Sequence, residues 1–301
     1  MMGGLSRERE ISLKTGKAIL RALTEKGYHA VSIDVGPDIA DVLMKEKIEC
    51  AFLALHGRFG EDGTVQGMLE LMKIPYTGSG VLASALALHK IMAKKVFLYE
   101  RIPTPPFEVL ERKEVGKQST RTTSFALPVV VKPAREGSTI GVSIVKKGED
   151  LLPALKEAGK YDEEILVEKF MEGKEITVGI LEDLPLPIIE IVPRSGFYDY
   201  HSKYTKGETQ YLIPAPLSRE KYLYAQEISL KAFTALGCSG CARVDLMTDA
   251  EGNPFVIDVN TMPGMTETSL LPKAASYAGI PFEDLVERIL LKASLKIESS
   301  P

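Results

Sequence analysis

The sequence predicts an α/β protein whose C-terminal half turns to α+β, and three stretches predict it. Residues 29–55 alternate strand, helix and strand and run into a glycine-rich loop, the pattern of an open, mostly parallel sheet with ligands at its carboxyl edge. Residues 128–145 read as two strands flanking a loop of Gly, Ser and Thr. Residues 240–269 read as a hairpin carrying acidic side chains, closed by a Pro263-Gly264 turn.

Composition sets the frame. A chain of 301 residues has room for two or three domains. Its net charge of −4, from 37 basic and 41 acidic residues, points to neither nucleic acid nor an anionic membrane as partner. No apolar run has the length of a membrane span, and the start, MMGGLSREREIS, holds no apolar signal core. Three cysteines (Cys50, Cys238, Cys241) make no disulfide framework, and one Cys-x-x-Cys pair without a second is expected to be structural. The expected compartment is the cytoplasm.

The elements follow in order. Gly3-Gly4 has the look of a strand-to-helix turn, yet only Met1 and Met2 precede it. Either the chain starts further upstream or the sheet lacks its central strand. A helix then carries Ile11, Ala18, Ile19, Ala22 and Leu23 as its apolar stripe. Strands are expected at 29–34 and 50–55 around a helix at 39–46, before the loop HGRFGEDG (56–63) opens a helix at Thr64. His56 fits a ligand contact and a turn residue equally well. A short strand and turn, PYTGSG (75–80), lead to helices at 81–88 and 90–101, a Pro-rich connector, and a polar surface helix at 112–124.

In the loop between the strands of 128–145, backbone N–H groups can approach phosphate oxygens, with Lys132 reaching them as a point charge. It is not a Walker A motif, because no Gly-Lys-Ser/Thr opens a helix. A helix at 150–159 precedes the strand that ends at Glu168, where a carboxylate fits a ribose or base amine as well as bare solvent. Strands at 175–181 and 186–192 lead into a polar loop, 193–212, whose aromatics (Phe197, Tyr198, Tyr200, Tyr204, Tyr211) suit a lid. After a helix at 219–236 comes the hairpin. In a strand, side chains two apart share a face, so Asp258 and Asn260 project together and a partner strand can bring Asp245 alongside. Three hard oxygen ligands without Cys or His suit Mg²⁺, although Asp-x-Asn alone also fits a polar hairpin at a sheet edge. Helices at 270–277 and 282–295 close the chain.

Seven phrases in one order resemble the D-alanine–D-alanine ligases of the ATP-grasp superfamily. They are GGLSREREIS (3–12), HGRFGEDG (56–63), TGSG (77–80), VKPAREGS (131–138), FYDY (197–200) with Lys203 and Tyr204, RVD (243–245) and NTMPGMT (260–266). The match runs from residue 3 to about 290. The resemblance implies an ATP-grasp fold behind the N-terminal sheet domain, divided at 1–78, 79–171 and 172–301. It implies ATP held by Lys90, Lys132 and the loop Glu136, Gly137 and Ser138, with Glu168, Lys169, Glu175 and Lys203 completing the nucleotide site. Asp245, Asp258 and Asn260 would hold two Mg²⁺ (or Mn²⁺) ions. Glu8 and His56 would anchor the first D-alanine's ammonium, Ser138 and Tyr204 would bond with Glu8, Arg243 and the Gly264 N–H would meet the oxyanion, and Ser269 would hold the second carboxylate. Tyr204 favours D-alanine over D-lactate, since a Phe resembles the usual residue of depsipeptide-forming relatives. The implied protein is a homodimer making peptidoglycan precursor.

Two residues depart from the family pattern: Asp258 stands where Glu is usual, and His89 where Asp is usual. Other readings are a different ATP-grasp ligase of a carboxylate with an amine or hydroxyl, and a nucleotide-binding regulator without turnover. A nicotinamide oxidoreductase is disfavoured by the lack of G-x-G-x-x-G between strand and helix.

Overall fold

The computed structural model describes residues 1–117, 123–194 and 207–297. Around the N-terminus, helices α1 (Arg9–Glu25), α2 (Ile39–Lys45) and α3 (Thr64–Leu71) pack on extended segments. These pair only as isolated bridges, parallel for Met2 with Asp34 and Ala51 with Tyr76, and antiparallel for Tyr76 with Ser294. The two parallel bridges match the expected open parallel sheet, but no full strand forms at 29–34 or 50–55. Met1 and Met2 take the central position. The Met2 N–H donates to Ile33 O, Val35 N–H donates to Met2 O, and Ala54 N–H donates to Met1 O. Met1 and Met2 thereby join the two extended segments, and Gly3 and Gly4, both at positive φ, turn the chain towards α1. The buried face of α1 is Ser12, Thr15, Gly16, Ile19, Ala22 and Leu23. Ile11 and Ala18 of the expected stripe sit at its edge, half-buried.

Helices α4 (Val81–Leu88) and α5 (Lys90–Tyr99) are broken apart at His89. A four-stranded antiparallel sheet follows, in the order β1-β4-β2-β3, from β1 (Phe107–Glu111), β2 (Val129–Pro133), β3 (Ser143–Val145) and β4 (Glu164–Lys169), with α6 (Leu151–Ala158) on one face. Strand β1 was not expected. Its Val109 and Leu110 lie between acidic residues and after a proline run, so no clear period marks it. The polar helix expected at 112–124 reduces, among the described residues, to a 3-10 turn at Arg112–Glu114, where Glu111 and Glu114 form a capping box.

A second antiparallel sheet runs β10-β9-β5-β7-β8, with β6 (Leu184–Pro185) also on β5. Its strands are β5 (Glu175–Leu181), β7 (Ile189–Pro193), β8 (Thr209–Leu212), β9 (Cys241–Thr248) and β10 (Pro254–Asn260). Helices α4, α5 and α7 (Arg219–Ala235) cover one face, packing Ala87, Phe97, Ile228 and Phe233 on Val244 of β9. Helices α8 (Leu270–Tyr277) and α9 (Phe282–Leu291) share the other core with Ile19 and Leu23 of α1. Burying each such Leu or Phe contributes about 2 kcal/mol, so the chain's two ends are bound into one core.

Candidate active site

Strands β9 and β10 build the centre. Along β9, Ala242, Val244 and Leu246 are buried in the core, so Arg243, Asp245 and Met247 face the other way. On β10 a register shift between Val256 and Asp258 resets the alternation. Val256 and Val259 both enter the core, while Asp258 and Asn260 share the opposite face. Asp258 is the cross-strand partner of Asp245, and Asn260 of Arg243. That face lines a cleft of about 910 Å³ between the two sheets and the N-terminal segment.

Every described residue to which the family resemblance assigns a site role lines this one cleft: Glu8, His56, Lys90, Lys132, Glu136, Gly137, Ser138, Glu168, Lys169, Glu175, Arg243, Asp245, Asp258, Asn260, Gly264 and Ser269. Lys203 and Tyr204 lie outside the described residues, as does most of the expected lid. The last four lid residues, Thr209–Leu212, form β8 instead of a loop.

At one end stands Glu8. The Ser138 hydroxyl donates to its Oε1. Burial, and next the nearby Glu61 carboxylate, push the Glu8 carboxyl above its usual value, against the Ser138 hydrogen bond. A Cβ built on Gly57 or Gly137 would come within 2.8 or 2.9 Å of Glu8 Oε2, so the carboxylate is cradled between two glycines. His56 is buried beside it, its Nε2 3.3 Å from the Thr15 hydroxyl and its Nδ1 3.7 Å from Glu61. Glu61 Oε2 accepts from the Gly57 N–H at 2.7 Å. Sequence reasoning passed over Glu61, although its loop position four residues after Gly57 allows that turn-closing bond.

The middle of the cleft is cationic. Lys90 Nζ is 3.2 Å from Asp258, and its N–H donates to Ala134 O, tying α5 to the glycine-rich loop. Burial works against the Lys90 charge, but Asp258 keeps the ammonium above its usual value. Lys132 donates to Glu168 Oε1 at 2.5 Å, and Lys94 stands 3.1 Å from Glu168 Oε2. Despite full burial, these two cations hold the Glu168 carboxyl below its usual value. Glu168 is therefore the counter-ion of both lysines here. Lys94 was missed; a lysine within the apolar face Ile91, Ala93, Phe97 is the signal that marks it. On the loop, Glu136 pairs with Arg58 at 3.2 Å. Lys169 and Glu175 end β4 and begin β5 at the same mouth.

At the far end Arg243 forks onto Asp245, with Nε–Oδ1 and Nη2–Oδ2 both 2.8 Å, and Asp245 Oδ1 also accepts from the Thr177 hydroxyl at 2.7 Å. The family resemblance implies separate roles for these two residues; two positions apart on one strand face, they form a bidentate pair. Gly264 packs on Ser269, whose hydroxyl accepts from the Thr266 N–H at 3.1 Å just before α8. Among the described residues no group of three or more His, Cys, Asp or Glu side chains has metal-ligand placement, so a cation site here must count the Asn260 amide. Two carboxylates and an amide on paired strands are still hard oxygen donors, the set that suits magnesium. Cys238 and Cys241 are buried free thiols, both pushed up to about 12 by burial and thus inert, as expected.

The family description "D-ala D-ala ligase C-terminus" matches residues 97–291, and "D-ala D-ala ligase N-terminus" matches residues 36–79. The chain is 56% identical to the D-alanine--D-alanine ligase of Syntrophotalea carbinolica over 98% of its own length and 95% of the relative's. It is 54% identical to that of Geotalea uraniireducens, over 99% and 95%. Among solved structures, the D-alanine--D-alanine ligase of Bacillus anthracis complexed with ATP superposes with a TM-score of 0.83 at 36% identity, covering 97% of this chain and 94% of that one. Near-complete coverage at 54–56% identity places the chain in the D-alanine–D-alanine ligase family.

Proposed function

We propose that this chain joins two D-alanines into D-alanyl-D-alanine at the expense of ATP, through an acyl phosphate, for peptidoglycan precursor synthesis. One observation supports the reading: a single cleft is lined by Glu8 and Ser138, by Lys90 and Lys132, and by Arg243 and Ser269. A sensor of nucleotide would have no use for Glu8, Arg243 and Ser269 beside its lysines.

In this reading the nucleotide lies along Lys90, Lys132 and the loop Glu136, Gly137 and Ser138, with Glu168, Lys169, Glu175 and Lys203 around its nucleoside. Asp245, Asp258 and Asn260 would hold two Mg²⁺ (or Mn²⁺) ions, which when bound neutralise phosphate charge. For Asp245 to take part, its oxygens must be shared with Arg243. Glu8 and His56 hold the first D-alanine's ammonium; the arriving cation offsets the burial that favours the neutral Glu8 acid. The carboxylate of that D-alanine attacks the γ-phosphorus and ADP leaves, a step in which positioning and charge neutralisation carry most of the rate. The free amine of the second D-alanine then attacks the acyl carbon, inorganic phosphate leaves, and the new amide nitrogen loses a proton. Arg243 and the Gly264 N–H meet the developing oxyanion, and Ser269 holds the second carboxylate. Tyr204, on the lid, would exclude water from the acyl phosphate. The same reading divides the chain at 1–78, 79–171 and 172–301 and makes it a cytoplasmic homodimer. No described helix is long and apolar enough to cross a membrane.

The test mixes protein, ATP, Mg²⁺ and D-alanine. Phosphate release that requires D-alanine, with dipeptide formed, is the expected result; nucleotide binding without turnover would point to the regulator. Asp258→Asn should lower turnover by at least ~100-fold, the scale of a lost transition-state charge contact, while ATP still binds. Near-normal turnover in that variant would remove Asp258 from the metal site.

A further inference from the structure

The mechanism above leaves one buried cation unused. Lys94 is 1% exposed, on the core face of α5 between Ile91 and Phe97. A lysine so placed must spend all three N–H bonds or pay heavily in desolvation. Lys94 Nζ donates to the Thr104 hydroxyl at 2.6 Å and to Pro105 O at 3.1 Å, and its remaining side faces Glu168 Oε2 at 3.1 Å. The other oxygen of the same carboxylate holds Lys132. Two ammonium groups thus share one carboxylate, and the buried trio carries a surplus positive charge beside the cleft. The Thr104 hydroxyl in turn donates to Val256 O at 2.8 Å, next to the register shift that aims Asp258.

We propose that Lys94 is a positioning residue for the nucleotide: by occupying half of Glu168, it leaves Lys132 loosely enough held to pass from the carboxylate to the phosphates of a nucleoside triphosphate. The inference rests on the reading of Lys132 as a phosphate contact. Lysine 132 faces a competition between Glu168 and the triphosphate. With Lys94 present, Glu168 stays neutralised after Lys132 turns away. Without Lys94, that turn would strand a buried, unpaired carboxylate, which costs far more than the exchange returns. Burial, the largest influence, lowers the Lys94 ammonium to about 8, and Glu168 opposes that fall.

The experiment measures ATP affinity by calorimetry and the KM values for ATP and D-alanine in Lys94→Met, Lys132→Met and Lys94→Met combined with Glu168→Gln. Methionine keeps the length of the stem, and Glu168 keeps Lys132 as its partner, so the fold is expected to survive. Lys94→Met should weaken ATP binding about tenfold or more, within the usual range of a coupling between two groups, and leave the KM for D-alanine unchanged. Adding Glu168→Gln should restore most of that loss, because no charge is then left behind. A purely structural Lys94 would instead lower the melting temperature, and Glu168→Gln would restore nothing; that result overturns the proposal. Unchanged ATP affinity in Lys94→Met alone also overturns it. If Lys132→Met too leaves ATP affinity unchanged, the phosphate assignment of Lys132 itself fails and the proposal with it.

Discussion

Glu8 Oε2 lies where one added methyl group would have to go. A Cβ on either Gly57 or Gly137 would crowd that oxygen, but the two positions differ. Gly57 has φ +71, a region that favours glycine whatever the space, whereas Gly137 lies outside that region and the atoms its Cβ would meet are those of the Glu8 carboxylate. Gly137→Ala therefore tests the anchor without straining the chain. It should raise the KM for the first D-alanine about tenfold, a loss of ~1.4 kcal/mol, and change stability by less than about 0.5 kcal/mol. Steady-state kinetics at saturating ATP, with a melting curve, check it; an unchanged KM would mean that Glu8 does not hold substrate. The family resemblance alone names Glu8 as a candidate, whereas the Gly- and hydroxyl-rich loop already marks Gly137 and Ser138 as a place where backbone N–H groups can approach phosphate. Nothing in the residues alone says that a side chain at position 8 meets one at 138, because 130 positions separate them.

Individual elements show where local reading succeeds and where it stops. Strand β5 and helix α8 begin and end where the sequence places them, β5 as a continuous apolar run buried from Ile176 to Leu181 and α8 by its buried face of Leu270, Leu271, Ala274 and Ala275. Strand β10 does not: strict alternation puts Val256, Asp258 and Asn260 on one face, and only the irregular pairing with β9 sends Val256 inward. The loop that carries Glu136 is anchored in a comparable, non-local way. Arg135 forks onto Asp162, at 3.1 Å from Nε and 2.9 Å from Nη2, and also reaches Glu164 at 2.9 Å, which in turn meets His89 at 3.1 Å. His89 thereby gains a role as the bond between the α4–α5 break and β4. Although burial alone would raise the Asp162 carboxyl, the Arg135 hydrogen bonds hold it below its usual value. A carboxylate with a depressed folded-state value stabilises the fold at neutral pH and loses that contribution as pH falls below about 4 and through the folded value. Asp162→Asn should cost about 2 kcal/mol at pH 7, and the difference from wild type should shrink on acidification. Urea unfolding at pH 7 and pH 3 checks it; a gap independent of pH would show that packing, not charge, is what Asp162 supplies.

At the scale of the molecule, the two sheets close one cleft while the first and last helices share one core. Helix α9 packs on α1, where Lys26 Nζ reaches Glu287 at 2.7 Å and also pairs with Asp284. A ligand that bridges such lobes stabilises the whole by mass action, about 2.7 kcal/mol at a hundredfold excess over Kd. Saturating ATP with Mg²⁺ should therefore raise the melting temperature by about 5 °C, and a chelator added with ATP should remove much of the rise. A rise indifferent to the chelator would separate nucleotide binding from the Asp258–Asn260 pair. The sequence by itself determined the chemical inventory: hard oxygen donors two apart on one strand, lysines at strand and helix ends, and glycine loops able to approach phosphate. These are short-range facts, set by side-chain period and backbone freedom. Only the tertiary structure decided who holds whom, as in Arg243 with Asp245, Lys90 with Asp258, and Lys132 and Lys94 on a single Glu168. The physical reason is that a buried charge must be neutralised by whatever packing brings within about 3 Å, and packing joins residues that no local pattern relates.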